Sequence, residues 1–553
     1  MMVSLIMFLL SIASQTLAVH VALSSETDKI ALLALKDKLT NGNHDALPSW
    51  NESLHFCEWQ GVTCSRRRMR VTALILQNQY WGGTLAPSLG NLTFLKAIFL
   101  TNIHLRGEIP REIGHLKRLQ ILDLKQNNLH GQIPMQMINC SSLYWIILTY
   151  NNLTGKVPSW FGSMVQLTHL GIAVNSFVGS IPPSLGNLSS LEQLSLTYNH
   201  LEGSITPALG RLSNLNFLAL GGNKFSGQVP YSLYNLSNIQ VFSVTDNQLV
   251  DTIGNLSSNL DILVMGSNQI SGKIPEGIGK LINLKTLGME RNSLEGIIPY
   301  SIGKLKNMVR LTLQENKLYG KIPLVIGNLT MLSEVQLYSN KFEGIIPFTL
   351  GNCTKMEIFY AHENNLSGNI PNQTFGYQQG LIALSLFSNS FTGPIPSELG
   401  NLIHLSVLYL QENKLIGEIP MELSACSALT ELVLESNLIH GSIPSFLGSL
   451  LSLEILDLSN NNFSSTISHE LVNLKFLSML NLSFNHLSGE VPEGGVFNNI
   501  TAISLFGNKD LCGGIPQLNL SACPMLPLQK KHKRSLKKRV ILFIAFGGVF
   551  SLP

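Results

Sequence analysis

The residues of this chain that could do chemistry are seven cysteines, fourteen histidines, and acids and aromatics crowded between Glu290 and Glu435. Zinc sites want CxxC pairs or clustered Cys and His. Neither pattern occurs: Cys57-Glu-Trp-Gln-Gly-Val-Thr-Cys64 holds its cysteines seven residues apart, and Cys512 and Cys523 are eleven apart. Gly277-Ile-Gly279-Lys280 has the start of a phosphate loop, but Leu281 stands where Ser or Thr is required. HExxH and GxSxG are absent, as are the Gly-rich, His-Arg-Asp and Asp-Phe-Gly signatures of protein kinases. The chain therefore carries no legible catalytic centre, and neither metal nor cofactor is expected. What remains is disulfide formation and non-covalent recognition.

The elements that must position these side chains come from a repeat. The segment Leu122-Asp-Leu124-Lys-Gln-Asn127-Asn-Leu129-His-Gly131-Gln-Ile133-Pro134 returns with Asn at 151, 175, 199, 223, 247, 268, 292, 316, 340, 364, 389, 413, 437, 461 and 485. Nearly every step is 24 residues; the exceptions are 21 and 25. The period and pattern are those of a leucine-rich repeat. In Leu-x-Leu, alternate side chains are apolar, which describes a short strand with one buried face. The Asn can bond backbone groups of neighbouring coils, the Gly permits a tight turn, and Ile-Pro starts an extended segment. Leu-Gly-Asn-Leu, as at Leu185 to Leu188, reads as a short helical turn on the convex side. The expected fold is an α/β-type right-handed leucine-rich-repeat solenoid of about 18 repeats of 24 residues. Its parallel sheet would line the concave side. Asp251 and Ser465 replace the turn Gly, and an irregularity is expected near 250–268.

A solenoid needs caps. Ser25-Glu-Thr-Asp28 has the form of a capping box before an amphipathic helix that would bury Ile30, Leu33 and Ala34. In a secreted chain Cys57 pairs with Cys64 and Cys512 with Cys523, one bond per cap. Cys140, Cys353 and Cys426 occupy a leucine slot of the repeat and read as small buried hydrophobes.

Composition fits this scheme. With 45% apolar and 13% charged residues, the chain is too rich in core formers to be disordered. Val3 to Ala13 is nearly all apolar and Thr16-Leu17-Ala18 offers small residues for cleavage, so a signal peptide is expected. An apolar first helix competes with that reading, because no Lys or Arg precedes Lys29. Fifteen Asn-x-Ser/Thr sequons support secretion: Asn51, Asn91, Asn139, Asn152, Asn187, Asn235, Asn255, Asn328, Asn352, Asn365, Asn372, Asn462, Asn481, Asn499 and Asn519. The net charge of +3 includes seven cations between Lys530 and Arg539, which leaves the preceding body mildly acidic and argues against nucleic-acid binding.

Recognition on such a scaffold falls to the outward positions of the concave strands. Between 171 and 267 these are small: Gly171, Ala173, Gly221, Gly222, Gly266 and Ser267. Beyond, they become large and charged: Glu290, Arg291, Gln314, Glu315, Tyr338, Tyr360, His362, Glu363, Phe387, Tyr409, Gln411, Glu412 and Glu435. Aromatics set among acids suit a binding surface, although aromatics also populate ordinary sheets. The expected ligand is a peptide or protein with basic character.

Several motifs resemble those of plant leucine-rich-repeat receptor-like kinases: the Cys57 to Cys64 cap, the Gly-x-Ile-Pro repeats and Gly507-Asn508-Lys-Asp-Leu511-Cys512-Gly513. Arg70-Val-Thr-Ala-Leu74 and Leu89-Gly-Asn-Leu-Thr-Phe-Leu95 are similar to subfamily XII, which includes immune receptors for bacterial patterns. The resemblance implies a ligand-sensing ectodomain at the cell surface, a short-ectodomain co-receptor kinase as partner, and defence signalling. The chain departs from the family at its end. The apolar run Val540 to Leu552 has 13 residues where a span needs about 20, and no kinase follows. The expected organisation is a signal peptide (1–23), an N-terminal cap (24–70), the solenoid (71–505), a C-terminal cap (506–529), a basic juxtamembrane segment (530–539) and a truncated transmembrane segment (540–553). The alternative is a secreted decoy, or an inhibitor of a cell-wall-degrading enzyme.

Overall fold

The structure, a computed structural model, describes residues 26–524 except His44 and residues 255–258. The signal-peptide, basic and transmembrane assignments, Ser25 and the Asn255 sequon lie outside the described residues.

Each coil places one strand, three residues long in all but the first two coils and the last, in a 20-stranded concave sheet. Val62–Cys64 pairs antiparallel with Val71–Gln77, and every later neighbour is parallel and one coil further on, as in Leu122 opposite Ile146 and Leu170. The buried residue of each strand joins one continuous apolar core running from Ala31 to Leu511. Burying such a side chain stabilises by roughly 1.5–3 kcal/mol, and the repeat delivers several per coil. The convex side is built from five-residue 3-10 turns such as Pro183–Asn187. A Cβ on Gly186 would sit 2.3 Å from the Ala208 carbonyl oxygen of the next coil, which explains the Gly of Leu-Gly-Asn-Leu.

The asparagines tie the coils together. Asn151 Nδ2 donates to the carbonyls of Leu124 (3.0 Å) and Leu148 (3.1 Å), and its Oδ1 accepts from the Leu129 amide (3.0 Å). The residue before each Asn is left-handed, as at Gln126 (φ 57°) and Tyr150 (φ 58°). That conformation costs a non-Gly residue about 1–2 kcal/mol, and the Asn hydrogen bonds offset it. Gly131 (φ 78°) fills the later turn. Ser465 keeps that left-handed turn (φ 69°), whereas Asp251 does not. The Asp251 carboxylate instead accepts from the Val229 amide (3.0 Å), the Thr252 amide (2.7 Å) and the Tyr234 hydroxyl (3.2 Å). The second, flanking sheet breaks there, between Gln248–Leu249 and Ser271–Lys273.

The N-terminal cap corrects the expected helix face. The helix over 26–39 buries Ala31, Leu32, Leu35 and Leu39, while Ile30 is 60% exposed and Ala34 also faces solvent. The cause is Asp28. Its carboxylate takes two bonds from Arg70 (2.9 and 2.8 Å) and one from the Val71 amide (2.9 Å), and so fixes the helix rotation against the first strands. Trp50 and Trp59 stack at 5.4 Å beneath it. Cys57 is bonded to Cys64 and Cys512 to Cys523. Cys140, Cys353 and Cys426 are free and buried. Among the described residues no helix is long and apolar enough to cross a membrane.

Candidate ligand-binding face

Stacking turns repeat positions into columns that run along the solenoid. Seven of the thirteen sequence-predicted residues fall in one column, two positions before the ladder Asn: Glu290, Gln314, Tyr338, His362, Phe387, Gln411 and Glu435. At its centre, Tyr338 stacks on His362 (4.4 Å between ring centroids, 10° between planes) and His362 on Phe387 (4.2 Å, 13°). Aromatic pairs of this kind contribute roughly 0.5–1.5 kcal/mol each beyond burial. The Ser385 hydroxyl lies 2.9 Å from His362 Nδ1. Burial between the two rings pushes the imidazole pKa down to about 4, with Glu363 opposing the shift.

The glutamines flank this stack, and each carries a buried amide oxygen without a partner, Gln314 Oε1 and Gln411 Oε1. Gln314 is itself only 8% exposed, so it is a recessed acceptor and not the open surface residue its repeat position suggests. Tyr360 and Tyr409 sit in the adjacent column, either side of the small, buried Ser385. Burial raises both phenol pKa values. Tyr409 donates a short hydrogen bond to Glu431, which raises it further.

Charge divides along the face. At the upstream end Arg291 pairs with Glu315 (2.8 Å) and Arg310 with Glu334 (2.6 Å), while Glu290 accepts from Thr312 (3.0 Å). From Tyr338 to Asn485 no Lys or Arg occupies an outward concave position. Glu363, Glu412, Glu431 and Glu435 therefore lack a cation and have hydroxyl partners at best, such as Ser339 to Glu363 and Ser388 to Glu412, while Asp457 is buried and accepts from the Ser459 amide and Asn481. Burial, with Asp457 and Glu412 nearby, raises the Glu435 carboxyl. The arrangement can receive an extended, basic and partly apolar chain.

Sequence reasoning missed Glu334, Glu431 and Arg310, which lie six positions before the Asn. Carrying the period of two one step further back would have found them. It also missed that the small-residue stretch is not bare. Tyr198 lies over Gly222, and Trp145 stacks on His169 at 3.9 Å. Thirteen of the fourteen described sequon asparagines are exposed, and none of these falls in a concave strand. Asn481 is the exception. It is half-buried on the concave side and bonded to Asp457 (2.9 Å) and Ser459 (3.1 Å).

Comparisons now bear on this geometry. Family models match as leucine rich repeat N-terminal domain (25–65), leucine-rich repeat region (67–209) and leucine rich repeat (427–487), with single repeats at 259–281, 283–305 and 380–402. The ectodomain of the Arabidopsis receptor kinase HAESA, solved with the peptide hormone IDA and the co-receptor SERK1, is 30% identical over 89% of this chain and 98% of its own (TM-score 0.55). This chain belongs to the plant leucine-rich-repeat receptor kinase ectodomains. The GASSHO1/SCHENGEN3 ectodomain of Arabidopsis thaliana, in complex with CASPARIAN STRIP INTEGRITY FACTOR 2, is 31% identical over 84% of this chain and 65% of its own (TM-score 0.68). The Arabidopsis thaliana LRR receptor-like serine/threonine-protein kinase EFR is 47% identical over 76 residues, 14% of this chain and 7% of EFR. The described residues form an ectodomain of this kind and not a catalytic domain.

Proposed function

We propose that this ectodomain senses a basic peptide or microbial pattern, laid along the concave face between Glu290 and Glu435, and acts in defence signalling at the plasma membrane. The observation that carries the reading is the column Gln314–Tyr338–His362–Phe387–Gln411. It holds three stacked rings between two buried, unpartnered amide oxygens, beside acids that lack cations. Rings of that kind anchor apolar side chains, and the amide oxygens accept N–H groups of an extended backbone. The structure of HAESA with the peptide hormone IDA favours a peptide, and the match to the LRR receptor-like serine/threonine-protein kinase EFR favours a parent receptor kinase. A short-ectodomain co-receptor kinase is the proposed partner. The caps, solenoid and tail keep the boundaries given above, and the disulfides and exposed sequons fit passage through the secretory pathway.

The test passes a randomised peptide library over the immobilised, glycosylated chain and over the variant Tyr338→Ala/Tyr360→Ala/Phe387→Ala. Peptides rich in Lys and Arg should be enriched on the first and not on the second. Equal recovery from both overturns the assignment. Fractionation of the tagged chain in plant cells separates the receptor reading, which places it in the carbonate-resistant membrane pellet, from a secreted decoy or inhibitor found in the medium.

A further inference from the structure

A second charged feature lies at the N-terminal end, more than seven coils from the aromatic column. Arg70, Phe94 and Arg118 are 24 residues apart and so occupy one slot in three successive coils. The Arg70 and Arg118 guanidiniums lie 4.3 and 4.2 Å from the Phe94 ring centroid, so the ring sits between them; Arg68 approaches at 5.6 Å. The ring face holds each guanidinium by cation–π attraction. A guanidinium stacked in this way keeps its in-plane N–H donors available.

The two arginines are not equivalent. Arg70 spends its donors on the buried carboxylate of Asp28. Arg118 has no carboxylate partner among the described residues, and neither have Arg66, Arg67, Arg68 or Lys96. All five are exposed, and they border one open cleft of about 530 Å³. Holding five like charges around one cleft raises its potential, which only an anion relieves. The remaining lining is Ser65 and Thr72 hydroxyl and the edge of Phe94. No other apolar side chain is present to hold a peptide's side chains. Hydroxyls, forked donors and an open trough match a ligand made of hydroxyl and oxyanion groups.

We propose that this cleft binds an anionic oligosaccharide, with Arg118 and Lys96 holding its carboxylate or sulfate groups. The site is independent of the concave ligand track. Arg118 supplies a rigid fork for a two-oxygen anion, Lys96 a mobile point charge, and Arg66 to Arg68 attract further groups along the chain.

The test measures affinity of the full glycosylated chain for an oligogalacturonate, a sulfated dextran oligomer, neutral dextran and oligoglutamate, each at low and high salt. At least one anionic saccharide should bind, more weakly as salt rises, and neutral dextran should not. Lys96→Gln/Arg118→Gln should weaken binding about tenfold, while Arg211→Gln, an exposed cation elsewhere, should leave it unchanged. The carboxylate and sulfate arms identify the anion. If the double variant misfolds by circular dichroism, Arg66→Gln/Arg67→Gln on the exposed loop replaces it with the same expected direction. Undiminished binding in the variant, no binding of either saccharide at low salt, or tighter binding of oligoglutamate than of both saccharides overturns the proposal.

Discussion

Replacing Asn364 by Leu tests whether the ladder asparagines hold the binding face in register. Asn364 is buried directly beneath the coil that carries Tyr360 and His362. Its Nδ2 donates to the carbonyls of Leu337 (3.1 Å), Ala361 (3.2 Å) and His362 (3.0 Å), and its Oδ1 accepts from the Phe342 amide (2.9 Å). Each carbonyl keeps another donor in the variant. Asn340 Nδ2 serves Leu337 (3.2 Å), Asn389 Nδ2 serves Ala361 (3.0 Å), and the Ser339 amide serves His362 (3.1 Å). The Phe342 amide, on a residue with no exposed surface, loses its side-chain acceptor. Stranding a buried amide costs ~1–3 kcal/mol, and Leu restores none of it. A solenoid feels such a loss mainly between neighbouring coils, so the cost appears as local opening. A value of ~2 kcal/mol corresponds to about thirtyfold faster exchange through that opening. Hydrogen-exchange mass spectrometry should show it for amides in 337–342 and 361–366, with the coil around Asn151 unchanged. Unaltered protection in both segments would refute the claim that the ladder bonds hold these coils together.

His362 makes stability depend on pH. Its pKa in the fold is held at about 4, below the ordinary 6.5, so its contribution is present above 6.5 and is lost as pH falls toward 4. His362→Phe should keep the stack and flatten the melting temperature across that window; an unchanged slope contradicts the burial argument. Glu435 has the opposite sign. Its raised carboxyl binds its proton more tightly in the fold, so its stabilising contribution is lost as pH rises through the carboxyl range. Glu435→Gln should therefore raise the melting temperature at neutral pH, and a decrease would be the contrary result. Burial pushes the Cys140 thiol up to about 12 and those of Cys353 and Cys426 up to about 11. Iodoacetamide should label none of the three in the native protein and all three after denaturation. Asp251→Ala strands the Val229 amide and the Tyr234 hydroxyl and should destabilise by ~2–4 kcal/mol, seen as faster exchange in 227–254. A silent variant would mean that the carboxylate does not substitute for the missing turn.

The fold is legible in this sequence because a solenoid has few long-range unknowns. Once the Asn127-to-Asn151 period is seen, the concave-sheet neighbour of a strand residue lies 24 positions away in all but the 21- and 25-residue steps and the last. The buried Leu, the ladder Asn and the thiols in leucine slots follow from the physics of one coil. What escaped depends on how unlike residues meet. Of the three apolar residues read for the cap helix, Ile30 and Ala34 face solvent and Leu33 packs partly against the core, because the Asp28–Arg70 pair, 42 residues apart, sets its rotation. The candidate face was legible as a list and not as an arrangement. Nothing in the one-dimensional pattern says that His362 is clamped between Tyr338 and Phe387, that Gln314 is recessed, or that Arg291 is neutralised by Glu315. The Arg70–Phe94–Arg118 stack was missed for a related reason. It lies nine positions before the Asn slot, off the strand positions read for a ligand.

The same separation explains how one scaffold can carry two chemically opposed surfaces. The ladder asparagines, the core leucines and the 3-10 turns satisfy the backbone and the apolar core of each coil without using the outward columns. Outward side chains are therefore nearly free of structural duty, and their charge can drift along the solenoid at little cost to folding. The limit is set where like charges collect. At Glu435, burial first and the neighbouring Asp457 and Glu412 second raise the carboxyl, and around Lys96 and Arg118 five cations share one cleft. In both places the unliganded fold carries repulsion that only an oppositely charged partner removes. That repulsion, more than the aromatic surface, gives each site the sign of what it can bind.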